Sequence, residues 1–247
     1  MFDPRVKILV IDPPTHFNDR KSVRRDNPER APKFGTGVST RYVNTMTCTE
    51  LGGLRSLIDQ ILHETAYVFC WSTGVHLPEA FALLDFWGLE YKTMAFIWVK
   101  TNKLADTEFY GPGAYTWQNV EYCLLARPRN CGPLWHSNGP GCAKPHQVIW
   151  DREPYVIRCP HPRDEHGKII HSRKPSEFFE KIESWLWPHM DRTKFDSVEL
   201  FATEERLGWF CAGHSISGNL LEVDVPLYPA KIRRKFSPLE IVPMRAG

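Results

Sequence analysis

The chain has 247 residues, 42% of them hydrophobic and 24% charged, a composition that supports a sizeable core and excludes global disorder, collagen and coiled coil. Lys and Arg total 31 against 29 Asp and Glu, a net charge of +2, so phosphate contacts have to come from local clusters. The apolar runs are strand-sized and fall short of the roughly 20 residues of a membrane span, no leader pattern opens the chain, and cysteines at 48, 70, 123, 131, 142, 159 and 211 are scattered. A reduced, cytoplasmic compartment is expected.

The chain opens with a near-continuous apolar run, Val6 and Ile8 to Ile11, that predicts a strand buried on both faces. Asp12-Pro13-Pro14 ends it, because two prolines cannot continue a ladder. The acid is thereby expected at the C-terminal edge of a sheet, where open α/β sheets bind ligands. Residues 18–41 are polar and rich in Pro, Gly and Arg, and predict a long mobile loop. Thr47 and Glu50 have capping-box spacing, and Leu51, Leu54, Leu57, Ile58, Ile61 and Leu62 follow with a helical period. Ala66 to Trp71 predicts a second buried strand, a helix runs from near Pro78 to near Gly88, and Tyr91 to Lys100 predicts a third strand. A loop over 101–118 leads into a fourth strand, Asn119 to Ala126.

Residues 127–170 form a long insertion rich in Pro, Gly, His and Cys, with strand-like pieces at Val148 to Trp150 and Tyr155 to Arg158. Pro175 opens an amphipathic helix through Phe178, Phe179, Ile182, Trp185 and Leu186. Ser197 to Ala202, Gly208 to Ala212 and Asn219 to Val225 read as late strands, and 226–247 as a basic, Pro-rich tail. Strands alternating with helices predict an α/β fold with a parallel sheet, one domain over 1–225 followed by the tail.

The Asp-Pro-Pro step suits an amine target. A carboxylate and the following backbone carbonyl can both accept hydrogen bonds from an exocyclic NH₂, turning its lone pair out of ring conjugation. Positioning then supplies much of the rate, and no strong base is needed.

Several further blocks follow in order: Tyr42 before Thr45-Met46-Thr47; Phe69-Cys70-Trp71; Trp98-Val99-Lys100-Thr101-Asn102; Asn119-Val120-Glu121-Tyr122; His171-Ser172-Arg173-Lys174-Pro175; and Glu199-Leu200-Phe201-Ala202. With Val10-Ile11-Asp12-Pro13-Pro14 they make the chain resemble a family. These are the adenine-N6 methyltransferases related to the seventy-kilodalton subunit of the mRNA adenosine methyltransferase, in their small prokaryotic or phage form. The resemblance implies a Rossmann-like, S-adenosylmethionine-dependent methyltransferase fold with permuted motif order, a mostly parallel sheet and helices on both faces. It implies Asp12, Pro13 and Pro14 as the catalytic turn. Thr15, Phe17, Tyr42, Asn119 and Glu121 are then expected around the target base. Asp12, Lys174, Glu199, Phe201, Thr203, His214 and Ser215 are expected around S-adenosylmethionine, with Lys174 meeting its carboxylate beside a helix N-terminus. No G-x-G-x-x-G loop follows any strand, which disfavours a dinucleotide enzyme.

The chain departs from the family at three positions. Thr15 stands where an aromatic usually follows Asp-Pro-Pro, Thr203 where Arg usually follows the Glu-Leu-Phe-Ala strand, and His214 where Asn usually follows Gly. Arg206 is near enough in sequence to replace the missing Arg. Two readings stay open: an adenine-N6 methyltransferase acting on DNA, or on RNA by the same chemistry, and a degenerate member that binds nucleic acid or props a partner. Arg20, Lys21, Arg24, Arg25, Arg30 and Lys33 crowd the first loop and are expected to grip a nucleic-acid backbone. Tyr110, Tyr115 and Trp117 are candidates for base contact. Cys131, His136, Cys142 and His146 lack the paired C-x2-C that marks a strong zinc site, so no metal is assigned. The expected partner is nucleic acid, DNA before RNA, with no membrane and with room for a homo- or heterodimer.

Overall fold

The structure, a computed structural model, describes residues 6–15, 45–105, 107–111, 115–131, 156–170, 172–190, 196–213 and 216. Expectations for residues 16–44, 132–155, 214–215 and 217–247 fall outside them.

Strand β1 (Val6–Ile11) is buried at nearly every position, as its near-continuous apolar run predicts. Helix α1 (Cys48–Gly52) starts at a capping box. The Thr47 N–H donates to Glu50 Oε2 at 2.7 Å, and the Glu50 N–H to Thr47 Oγ1 at 3.3 Å. The single helical period expected from Leu51 onward is broken at Gly52-Gly53, and a second helix, α2 (Arg55–Ile61), takes over. Two adjacent glycines stabilise helix poorly, and Gly53 caps α1 by donating to Thr49 and Glu50 carbonyls. Leu51, Leu54, Leu57, Ile58 and Ile61 stay buried across the break.

Strand β2 (Leu62–Thr73) is longer than Ala66 to Trp71. Helix α3 (Leu77–Phe86) follows, with Pro78 in its first turn, and the chain turns out of it through Gly88 at φ +75°. Strands β3 (Leu89–Thr101), β4 (Val120–Pro128) and β5 (Val156–Pro160) precede helix α4 (Ser176–Leu186), then β6 (Ser197–Leu200) and β7 (Phe210–Ala212).

These strands form one sheet in the order β5-β3-β4-β2-β1-β6-β7. β4 is antiparallel to both neighbours, β2 and β3, and every other adjacent pair is parallel. The fold is therefore mixed α/β. Two apolar clusters divide the strand residues by alternation. Leu9, Ile11, Val68, Cys70, Leu124 and Ala126 join residues of α1, α2 and α3. Ile8, Val10, Phe69, Trp71, Cys123, Leu125, Phe96 and Trp98 join Phe178, Phe179, Ile182 and Leu186 of α4. Phe178 is the hub of the second cluster, with ring centroids 4.8 Å from Trp71, 5.2 Å from Phe96, 4.9 Å from Phe179 and 6.2 Å from Phe69. No helix among the described residues is long and apolar enough to cross a membrane.

Candidate active site

Strand alternation decides which charged side chains meet. Ile8 and Val10 lie in the α4 cluster, so Asp12, two residues on, leaves the strand toward that side. On β3 the series Phe96 and Trp98 continues to Lys100, and on β4 Glu121 precedes Cys123 and Leu125. On β6 Val198 and Leu200 belong to the opposite cluster, which turns Glu199 toward α4. Because β4 runs antiparallel, its beginning lies where β1, β2 and β3 end, and Thr73 and Trp98 both pair with Glu121. Lys174 sits one residue before Pro175, the N-cap of α4.

Contact completes the convergence. Lys174 Nζ donates to Asp12 Oδ2 at 2.8 Å and to Glu121 Oε2 at 3.0 Å. Lys100 Nζ donates to the other oxygen, Glu121 Oε1, at 2.6 Å. Asp12, Lys174, Glu121 and Lys100 thus form a chain of alternating charge whose formal sum is zero. The Lys174 ammonium lies 5.4 Å from the Trp71 ring centroid, and that of Lys100 5.1 Å from Trp98. Both rings are core residues.

Burial and these partners set the protonation states. Burial raises the Asp12 carboxyl above the ordinary aspartate range, against the pull of Lys174. At Glu121 burial also acts upward, but the Lys174 and Lys100 charges overcome it and hold the carboxyl at about 2. Lys174 goes up despite burial, because Asp12 and Glu121 both favour its charged form. Glu199 differs. Burial pushes its carboxyl up to about 8, with Arg206 opposing and Asp12 assisting. The Cys211 thiol donates to its Oε2 at 4.0 Å.

The Asp-Pro-Pro turn is tightly tied. The Thr15 N–H donates to the Pro13 carbonyl at 2.8 Å, and the Met46 N–H to the Pro14 carbonyl at 2.7 Å. A carbonyl has two lone pairs, so among the described residues Pro13 keeps one acceptor site. Thr15 is half-buried and bridges to Met46, which fixes the chain leaving the turn.

Other expected residues are placed with varying closeness. Asn119 is half-buried, and its carbonyl accepts the Lys100 N–H at 2.7 Å. Phe201 follows β6 at φ +63° and packs against the cluster of α1 to α3. Thr203 is half-buried on the following turn. Arg206 bonds Glu204 at 2.9 Å and lies 3.6 Å from the Phe179 ring centroid, while Arg173 reaches Glu204 at 3.2 Å. Glu204 thus ties the turn after β6 to the segment carrying Lys174. Tyr110, Tyr115 and Trp117 are exposed, with Tyr110 and Trp117 edge to face at 5.8 Å. Phe17, Tyr42, His214, Ser215, Arg20, Lys21, Arg24, Arg25, Arg30 and Lys33 lie outside the described residues. So do His136, Cys142 and His146 of the metal question. Among the described residues no group of three or more His, Cys, Asp or Glu can hold a metal ion.

Lys100 is the site residue that sequence reasoning missed. Its signal was present, since it lies two positions beyond Trp98 on a strand whose alternate residues face the core.

The MT-A70 family profile matches residues 6–215, from the first residue of β1 to beyond β7. The chain belongs to the MT-A70 family. It is similar to the Type II methyltransferase M.MunI of Mycoplasma sp, 26% identical over 228 residues, covering 89% of this chain and 82% of that protein. Asp12, Glu121 and Lys174 all lie within the matched residues.

Proposed function

We propose that this MT-A70 protein transfers a methyl group from S-adenosylmethionine to the N6 amine of adenine in DNA. The observation that carries the reading is Asp12 at the end of β1, on a fixed Pro-Pro turn, ion-paired with Lys174 at the start of α4. The sheet order, with α1 to α3 and α4 contributing to opposite clusters, supports a Rossmann-like sheet covered on both faces in a single domain over 1–225. The motif order, with Asp12 ahead of Lys174 and Glu199, supports a permuted arrangement.

The residues present fit the cofactor. Lys174 is a buried cation beside a helix start and suits a carboxylate. Glu199 is a buried carboxyl and suits hydroxyl donors. S-adenosylmethionine, when bound, supplies an electrophilic methyl on a sulfonium. The chain's own groups do the rest. Asp12 Oδ and the free lone pair of the Pro13 carbonyl accept the two amine hydrogens and turn the nitrogen lone pair outward. Burial makes Asp12 a ready acceptor for the proton that the amine sheds. DNA as the polymer is supported by the likeness to a protein designated a Type II methyltransferase. A target inside a duplex has to be flipped out to reach a buried carboxylate.

Asp12→Ala tests the assignment in vitro, with tritiated S-adenosylmethionine and adenine-unmethylated DNA. Transfer is expected to fall by at least about 100-fold, the upper half of the range for acid–base and orienting groups, with circular dichroism unchanged. Retained turnover contradicts the amine-holding role.

A further inference from the structure

Lys100 is absent from the set of residues that the family resemblance assigns, yet it makes the shortest contact in the charged centre, 2.6 Å to Glu121 Oε1. It is held at both ends. Its backbone N–H donates to Asn119 and its carbonyl accepts from Phe109, while its ammonium lies over Trp98. The two oxygens of Glu121 are divided, one to Lys100 and one to Lys174. Lys174 also holds Asp12 Oδ2, the group proposed to receive the target amine. Lys174 has three N–H donors and the Asp12 carboxylate about four lone-pair sites, so Asp12 can keep Lys174 while it receives the amine. A cofactor carboxylate at Lys174 instead draws on the ammonium that Glu121 holds by the longer contact, 3.0 Å.

We propose that Lys100 is a positioning residue: its ammonium pins Glu121, so that Lys174 can exchange Glu121 for the cofactor carboxylate without stranding that buried anion. The side chains of Asp12, Glu121, Lys100 and Lys174 are 18, 13, 13 and 6% exposed, so water compensates little when a partner departs. With Lys100 present, Glu121 keeps a cation throughout. Without it, among the described residues Lys174 is the cation left to both carboxylates, and it is retained on Glu121. The pin itself is geometric, and its catalytic meaning rests on the methyltransferase reading above.

Full-length Lys100→Met and Lys100→Arg test it, alone and combined with Glu121→Gln. By calorimetry, Lys100→Met is expected to weaken S-adenosylmethionine binding about tenfold, within the coupling range of contacting charged residues. Lys100→Arg restores it, and Lys100→Met has no further effect in the Glu121→Gln background. Unchanged affinity in Lys100→Met, or an equal loss in both backgrounds, overturns the proposal, because a merely structural lysine acts regardless of Glu121.

A second readout needs no cofactor. In protein carrying ¹³C-carboxyl glutamate, the Glu121 resonance is assigned by its loss in Glu121→Gln. Its titration midpoint is expected to rise by about 1–3 pH units in Lys100→Met and to return in Lys100→Arg. An unmoved midpoint refutes the pin. If wild-type protein binds no S-adenosylmethionine, the methyltransferase reading fails, and this titration still decides the role of Lys100.

Discussion

Lys174 answers to two carboxylates at once, and each group in the centre is defined by what its neighbours leave to it. Lys174→Met removes the shared cation and leaves Asp12 and Glu121 close together and buried. We expect a stability loss of about 3–5 kcal/mol by denaturant unfolding, the usual cost of breaking a buried pair. We also expect cofactor binding to weaken more than nucleic-acid binding, and equal losses by calorimetry contradict the placement. Glu199 carries the opposite sign. Its folded-state affinity for a proton is raised, so the folded chain binds that proton more tightly than the unfolded one. Stability is therefore lost as pH rises from the ordinary glutamate range toward about 8, by up to about 1.4 kcal/mol per pH unit. Glu199→Gln abolishes that loss. The variant should gain on wild type between about pH 5 and about pH 8, measured by denaturant unfolding at each, and a difference independent of pH contradicts the account. Asp12 was legible because a proline pair ends a buried strand. Glu121, Glu199 and Lys174 were legible through ordered motif blocks. Lys100 stands in one of those blocks and alternates with Trp98, yet its role was not legible, because a lysine at a strand end usually meets water, and its partner lies on a strand whose direction the sequence leaves open.

At the scale of elements, hydrophobic period and end signals carried most of the reading. The capping box at Thr47, Pro78 in a first turn and Gly88 beyond a helix end all appear where local chemistry places them. The Gly52-Gly53 break escaped because the apolar spacing runs through it, and burial is satisfied on either side. Pairing is non-local, so neither the antiparallel run of β4 nor the place of β5 beside β3 follows from local sequence. Helix α4 connects element to site: its apolar face seats Phe178 among aromatic rings, and its start carries Lys174. Phe178→Ala is expected to cost about 3–5 kcal/mol. It should also weaken cofactor binding, because the helix start shifts with its buried face. A loss of stability without any change in cofactor affinity separates the two and contradicts the coupling.

Over the whole molecule, the parallel strands bring their C-terminal ends to one edge, and the antiparallel β4 adds its beginning to that edge. Four charged residues from β1, β3, β4 and the segment before α4 meet there although they are far apart in sequence. The fold class followed from alternating strands and helices, whereas the sheet order required the tertiary structure. The departures at Thr15 and Thr203 leave the centre built. Thr15 is tied to Met46, and Arg206 is held by Glu204 beside the segment carrying Lys174. The most direct measurement is nucleoside mass spectrometry on DNA and RNA from cells expressing the protein, with Asp12→Ala as control. The account predicts new N6-methyladenine in DNA that is absent from the control. The mark in RNA alone contradicts the choice of polymer, and no modified adenine in either contradicts the adenine-N6 activity.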